Sequence, residues 1–360
     1  MDGLSIKCPN CGGGLQFDPA AQDYECEYCL SRFTQKELEQ LISDTGEAQE
    51  VSGGPADGSP DTGTEDQEEA KAVVYTCPSC GAEIVTDETT AASFCFYCHN
   101  PVILAGRLDG RYRPDYVIPF AVDREKATEI FLSWLKQKRY VPKDFYGPGQ
   151  IEKMTGVYFP YWLYSCQVDG SLEGEGTKLR TWRTGNLQYT ETQKYDVSRR
   201  GTMDINHVTR NALKKSDKRL VEGVMPFDMK ERKPFSIGFL SGFVAEKRDR
   251  EQQEFSMEVE TEVREFAAAG LKSGIGNYSS LSLRKEETVV KDPRWEYALL
   301  PVWTLTYKDK KSGKIYYFAC NGQNGKVCGV LPVDPAKLGI LFAEIFLPFL
   351  AVLLTVGWFL

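Results

Sequence analysis

Histidine is nearly missing from this chain, with only His99 and His207 among 360 residues. Neither a Gly-rich phosphate loop nor a nucleophile elbow occurs either, so general acid–base, phosphoryl and acyl-transfer chemistry lack their usual carriers and an enzyme is not expected. Lysine and arginine are absent from Ala72 through Gly106, and residues 1–33 offer only Lys7 and Arg32 against five acids. Duplex binding relies on cations that neutralise phosphates, so these segments would be repelled by a polyanion. The opening "MDGLSIKCPN" lacks a basic stretch followed by an apolar run, which argues against a secretory signal and for a reducing cytosol.

What is present is unevenly spread. Residues 1–100 hold 4 Lys/Arg against 19 Asp/Glu, a net of −15, and the remainder holds 39 against 32, or +7. Residues 44–70 carry nine acids, no base and several Gly, Pro and Ser breaks. Such a composition buries too little apolar surface to offset chain entropy, so 44–71 is expected to be a disordered acidic linker.

Eleven cysteines in a reducing compartment read as ligands rather than disulfides. Cys8, Cys11, Cys26 and Cys29 form two CxxC pairs with fourteen residues between them, and Cys77, Cys80, Cys95 and Cys98 repeat that spacing at an offset of 69. Two pairs joined by a hairpin-length segment can close one tetrahedral site, so each set is expected to hold one zinc ion. Spacing alone does not separate zinc from iron. The redox reading is disfavoured, because a thioredoxin-like motif normally occurs once beside a βαβ unit, while these pairs are matched and acidic. Gly12 and Gly81 follow the first knuckles where the backbone must turn sharply, whereas the second knuckles depart from the pattern with Leu30 and His99. His99 reads as a surface residue, since four thiolates already fill the shell. Small metal modules draw much of their stability from the ion, so a chelator is expected to unfold the front third and spare the rest.

The expected fold class is therefore two small β-rich zinc ribbons, an α+β body and a C-terminal transmembrane helix. Ribbon 1 with a short helix takes 1–43, where Thr34 and Glu37 have capping-box spacing, and ribbon 2 takes 72–106. The body takes 109–336. In it, Asp123 caps a helix with Ala127, Ile130, Phe131, Trp134 and Leu135 on one face, and a second amphipathic helix sets Phe255, Val259, Val263 and Phe266 in a stripe stopped by Gly270. "GVYFPYWLYSCQV" and "YALLPVWTLTYK" share a Pro-x-Trp step, which suggests two related halves, and a hairpin ladder follows from about Val302 to Leu331. Cys166, Cys320 and Cys328 read as buried small apolar residues. A basic run, Arg199, Arg200, Arg210, Lys214, Lys215, Lys218 and Arg219, faces only Asp204 and Asp217; it is a solvated surface or a site for anionic lipid, the acidic linker or nucleic acid.

From Gly339 to Leu360 the chain is apolar apart from Glu344 and Thr355. Its last 21 residues would span about 31 Å as a helix, close to the bilayer hydrocarbon thickness, so 338–360 is expected to be an anchor. With nothing following Leu360, ribbons and body would lie on the cytoplasmic side of a single-pass cell-membrane protein.

As a set, "VVYTCPSCGAEIVTDETTAASFCFYCHNPV", "GVYFPYW", "LSGFVAEKRD", "LLPVWTLTY" and "NGQNGKVCG" resemble a bacterial family of membrane-anchored proteins with TFIIB-type zinc ribbons, often labelled after the zinc-binding part of the replication-restart helicase. They also resemble its YdjG-type members. That resemblance implies a cytoplasmic-face adaptor or scaffold associated with SPFH-domain and PspA-like membrane-stress proteins. A membrane-tethered nucleic-acid-binding protein of replication or transcription is the alternative.

Overall fold

The computed structural model describes residues 4–44, 72–95, 97–216, 218–309 and 313–359. The acidic linker expected at 44–71 lies outside them, apart from Asp44, the last residue of a helix, and Ala72 opens the next strand.

The first cysteine segment forms β1 (Leu15–Asp18), β2 (Asp23–Cys26), β3 (Arg32–Phe33) and α1 (Gln35–Asp44), with the strands in an antiparallel three-stranded sheet. The capping box is made: Thr34 N–H donates to Glu37 at 2.7 Å, and Glu37 N–H donates back to the Thr34 hydroxyl at 3.4 Å. The second segment forms β4 (Ala72–Thr76), β5 (Glu83–Asp87), β6 (Thr90–Phe94) and β7 (Pro101–Ile103). β4 and β5 pair only with each other, but β6 and β7 join a ten-stranded sheet.

β8 (Tyr116–Val117), α2 (Arg124–Lys136) and α3 (Pro148–Ile151) precede two long strands, β9 (Thr155–Thr184) and β10 (Leu187–Asn211). Then come α4 (Lys218–Gly223), β11 (Lys233–Pro234), β12 (Val244–Glu246), α5 (Gln253–Ser273) and a third long strand, β13 (Ser280–Lys308). β14 (Ile315–Asn321), β15 (Val327–Val330) and α6 (Pro335–Phe359) complete the chain. The sheet order is β11-β8-β13-β9-β12-β6-β7, with β10 on β9, β14 on β13 and β15 on β14.

The chain packs as two units whose limits differ from those expected from sequence. Unit 1 gathers Met1–Pro160, Leu213–Arg248 and Leu299–Leu360; unit 2 is Tyr161–Ala212 with Asp249–Ala298. Both cysteine segments thus share a unit with much of the body. In unit 1 the antiparallel ladder β13-β14-β15 forms as expected, and α2 lies against it with Phe131 packed on Phe318. Asp123 caps α2 by accepting from Lys126 N–H at 2.6 Å, and Ala127, Phe131 and Leu135 are buried. In unit 2, α5 lies against β10 and buries Phe255, Val259, Val263 and Ala267. Phe266, expected in that stripe, is exposed, because Ala267 continues the i, i+4 row. The helix also runs through Gly270, whose bare Cα lies against Met203, and stops at Gly274.

The two Pro-x-Trp steps have parallel roles. Trp303 donates its indole N–H to the Val122 carbonyl at 2.8 Å, just ahead of α2, and Trp162 donates to the Arg250 carbonyl at 3.0 Å, just ahead of α5. In chain order the pairing is exchanged: α2 packs on β14 and β15, which follow α5, and α5 packs on β10, which follows α2. Trp303 on β13 ties its strand to the start of α2, and Trp162 on β9 ties its strand to the start of α5.

Candidate metal centres

All four cysteine knuckles are built on one turn. Cys8 N–H donates to Gly13 O at 2.6 Å while Gly12 N–H donates to Cys8 O at 2.8 Å; Cys77 with Ala82 and Gly81 repeats this at 2.8 and 2.9 Å. The second knuckles do the same: Cys26 with Ser31 and Leu30 at 3.0 and 2.9 Å, and Cys95 with Asn100 and His99 at 2.9 Å in both bonds. The fifth residue is left-handed each time, with φ of 77° at Gly12, 58° at Leu30, 76° at Gly81 and 57° at His99. The departure seen in the sequence at Leu30 and His99 is therefore no departure in conformation. Those residues carry a backbone cost of roughly 1–2 kcal/mol that glycine avoids. The same turn occurs without cysteine at Asn321, where Gly325 N–H returns to Asn321 O at 2.9 Å with φ 76°. The knuckle is a hairpin turn used elsewhere in the chain, given thiols at its first and fourth positions.

Those positions bring the sulfurs together in two groups of four, all within 4.8 Å of one another in each group. Across the loops, Cys8 and Cys29 sulfurs are 3.6 Å apart and Cys11 and Cys26 are 3.4 Å apart; Cys77–Cys98 and Cys80–Cys95 are 3.8 and 3.6 Å apart. A tetrahedron with metal–sulfur bonds of about 2.3 Å has edges of about 3.8 Å, so both groups have nearly the size a zinc shell needs. His99 is not in the second group, and its left-handed turn accounts for its position.

The thiols do not ionise alike. Cys29 is held down to about 6 by its hydrogen bonds to the Ser31 side chain and backbone. Burial works against ionisation at Cys95, but the N–H groups of Cys98 and Tyr97 outweigh it and bring the thiol to about 7. Around these, Gly13 N–H favours the Cys11 thiolate but the neighbouring Cys26 and Cys29 override it, pushing Cys11 up to about 12; burial, with Cys80 and Cys95 beside it, does the same to Cys98. One thiolate opposes the next, and a divalent cation at the centre is what would remove that opposition.

Both segments are docked by the stretch "LSGFVAEKRD", whose role was not legible in the sequence. Ser241 O accepts from Phe17 N–H at 3.0 Å and its hydroxyl donates to Leu15 O, which holds β1. Phe17 also packs edge-on against Phe239, with centroids 5.4 Å apart. Four residues on, Ala245 and Glu246 in β12 pair with Ala92 and Thr90 in β6. Glu246, itself buried, sits in a charged cluster: Lys215 Nζ lies 2.9 Å from it and 2.6 Å from Asp87, and Thr89 donates to it at 2.7 Å. Leu4 and Ile103 exchange backbone bonds of 2.7 and 2.8 Å, linking the two segments directly.

The basic run is largely engaged. Arg199 donates to Leu271 O at the end of α5 at 2.8 Å, Arg210 pairs with Glu258 and Glu262 of the same helix, and Lys215 serves the cluster above. Cys166 and Cys320 are buried as expected, while Cys328 is half-buried and donates to Arg219 O at 3.4 Å.

Among the described residues α6 is the one helix long and apolar enough to cross a membrane, over Pro335–Thr355, with none of that window buried. Each knuckle buries its first cysteine, while Cys11, Cys29 and Cys80 at the fourth position are exposed and Cys98 is half-buried. In the second knuckles Tyr28 and Tyr97, related by the repeat offset of 69, stand out into solvent. No family model matches the chain, and no solved structure matches it. It is similar to the uncharacterized protein YdjG of Bacillus subtilis (strain 168), at 28% identity over 342 residues that cover 95% of this chain and 94% of that one.

Proposed function

We propose that the chain is a single-pass, membrane-anchored adaptor whose two four-cysteine centres are zinc ribbons presented on the cytoplasmic face. The observation that carries this is α6, an apolar 21-residue span none of which is buried among the described residues, on a chain whose metal-binding segments are rich in carboxylates. A core helix of that length would be covered; one left bare in water would expose a large apolar surface. Zinc at Cys8, Cys11, Cys26 and Cys29, and at Cys77, Cys80, Cys95 and Cys98, would be structural, because four thiolates leave no open position for a substrate. Each ion would hold two knuckles in place, and with them Tyr28 and Tyr97, whose exposed rings suit protein contact.

The adaptor envisaged has a rigid head rather than modules on a tether, since Ser241 and Glu246 dock both segments to the body. SPFH-domain and PspA-like membrane-stress proteins are the partners implied by the resemblance to YdjG-type proteins. An affinity pull-down from solubilised membranes should recover a membrane-associated partner with the intact chain and lose it with Cys77→Ser. Identical recovery by both would remove the ribbons from the function, and recovery of the protein from the soluble fraction alone would remove the anchor.

A further inference from the structure

Every residue from Lys178 to Thr190, around the turn that joins β9 to β10, is exposed. The register places Gly176 opposite Tyr195, Lys178 opposite Gln193, Arg180 opposite Glu191 and Trp182 opposite Tyr189, so these side chains share one face of the hairpin. Along that face aromatic rings and cations alternate. Trp182 and Tyr189 stack at 5.6 Å and 13°, Arg180 lies 5.7 Å from the Trp182 ring, and Lys178 Nζ lies 5.4 Å from the rings of both Tyr195 and Tyr278. Leu187 adjoins the turn, opposite Thr184, at 63% exposure; Leu179 lies further down the ladder, opposite Thr192, at 53%, and Trp182 is 43% exposed. From Thr177 to Thr190 there are three cations, Lys178, Arg180 and Arg183, and no acid, in a chain whose net charge is −8.

We propose that this hairpin tip docks on an anionic membrane surface, with Trp182 and Tyr189 at headgroup depth and Lys178, Arg180 and Arg183 on lipid phosphates. Amphipathic rings favour the bilayer interface, where one edge is apolar and the other wet. A cation held near an anionic leaflet contributes roughly a five-fold gain in binding. Bases would stack on Trp182 equally well, but the exposed Leu187 beside the turn has no use on a nucleic acid, whereas in a headgroup layer it leaves water. The inference rests on the anchor reading for bringing the chain to a bilayer, because α6 would hold the protein in the plane where weak contacts of this kind count.

The test uses the full chain reconstituted in nanodiscs with brominated lipids, of phosphatidylcholine alone or mixed with phosphatidylglycerol. The Trp182 contribution to fluorescence is read as the difference between the native chain and Trp182→Phe. Quenching of that contribution is expected in the anionic discs, weaker in the neutral ones, and reduced by half or more in the Arg180→Glu/Arg183→Glu variant. Discs that hold the protein but leave Trp182 unquenched would overturn the docking and leave the anchor standing. Quenching insensitive to the charge reversal would also overturn it. Should the protein stay out of the discs, the anchor reading fails, and the same difference measured with brominated anionic vesicles decides the hairpin alone. A Trp182 signal that answers to a single-stranded oligonucleotide but not to lipid would reassign the tip to nucleic acid.

Discussion

The ammonium of Lys215 lies 2.6 Å from a carboxylate oxygen of Asp87, 128 positions earlier in the chain. The same ammonium serves Glu246 on β12, so one cation holds the second cysteine segment to the strand beside it. Removing it would leave the buried Glu246 carboxylate without its counter-charge. Lys215→Met keeps the stem and deletes only the charge; with Lys215 partly exposed, we expect a loss of roughly 2 kcal/mol, below the cost of breaking a fully buried pair. Denaturant unfolding would measure it, and an unchanged midpoint would show that the cluster is solvated in solution. Lys215→Met with Glu246→Gln should recover part of the loss, because the uncompensated charge is then gone as well.

Acid should act on the same cluster. Burial raises the Asp87 carboxyl, but hydrogen bonds from Lys215 and then Thr90 outweigh it and hold the group at about 2, against 3.8 when free. A carboxyl depressed by folding stabilises the folded state above its unfolded pKa, and that share disappears as the pH falls through the folded value. The loss therefore lies between about 4 and 2 and amounts to roughly 1 kcal/mol after solvent screening. In Asp87→Asn the acid limb of the stability profile should flatten over that window; a native-like limb would place the titration elsewhere.

How much of this was legible in the sequence differs by region. The eight cysteines, the Asp123 and Thr34 caps and the β13-β14-β15 ladder depend on residues close in sequence, where spacing and turn chemistry carry the information. Phe266 was misread because a helical stripe shifted by one residue looks the same until its partner is known, and Gly270 because the close approach of Met203, not a helix end, occupies the space a side chain would need there. The docking stretch and the Lys215 cluster were not legible at all. Ser241 meets Leu15 across 226 positions and Thr89 meets Glu246 across 157, and no local pattern announces such contacts. Arg199 and Arg210 read as a basic patch for a similar reason, since their α5 partners lie far along the chain.

That docking alters what metal removal should do. Front-third unfolding with the body spared is what freestanding ribbons would give. Here β6 and β7 belong to the ten-stranded sheet and β1 leans on Ser241, so loss of the ions should spread into unit 1. With structural zinc worth on the order of 10 kcal/mol per site, the effect should be large. Elemental analysis should return close to two zinc ions per chain, and hydrogen exchange after chelation should show loss of protection at 240–246 as well as in the cysteine segments. Amides of α5, in unit 2, should keep theirs. Deprotection that stopped at residue 106 would show the ribbons to be independent after all.

His99 offers a check on the knuckle geometry. If its left-handed φ of 57° is its whole role, His99→Gly removes a strained Cβ while adding freedom to the unfolded chain, and the two nearly cancel. Stability should change by no more than about 1 kcal/mol in either direction, and zinc content should not change. A variant that lost the metal would make His99 a ligand and the four-sulfur shell incomplete. Leu30→Gly should behave in the same way at the first centre, because its turn is the same.

Cutting the chain after Asp334 tests the anchor against the fold. The Pro335–Thr355 window has no buried residue, so its loss should leave the two sulfur centres and both units intact. Besides the local bonds of the helix start to Asp334, one side-chain tie among the described residues reaches back to the body: Lys337 donates to Val141 O at 2.7 Å at the foot of α6. Because it is a single partly exposed bond, its loss should cost about 1 kcal/mol or less. The truncated protein should therefore be soluble, bind two zinc ions and unfold near the native midpoint, yet fail to assemble with membrane partners. The failure follows from concentration rather than contact, since an adaptor held in the membrane plane meets membrane-bound partners far more often than one diluted in the cytosol. An unrelated apolar helix grafted after Asp334 should restore assembly if α6 is only an anchor. Failure of the graft would point to Glu344 or Pro348 as contacts within the bilayer, where a carboxylate is retained only with a partner. A truncated protein that stayed in the membrane fraction at high salt would show that an apolar part of the chain other than α6 holds it there, because the charge-dependent contact of the Trp182 hairpin would be screened under those conditions.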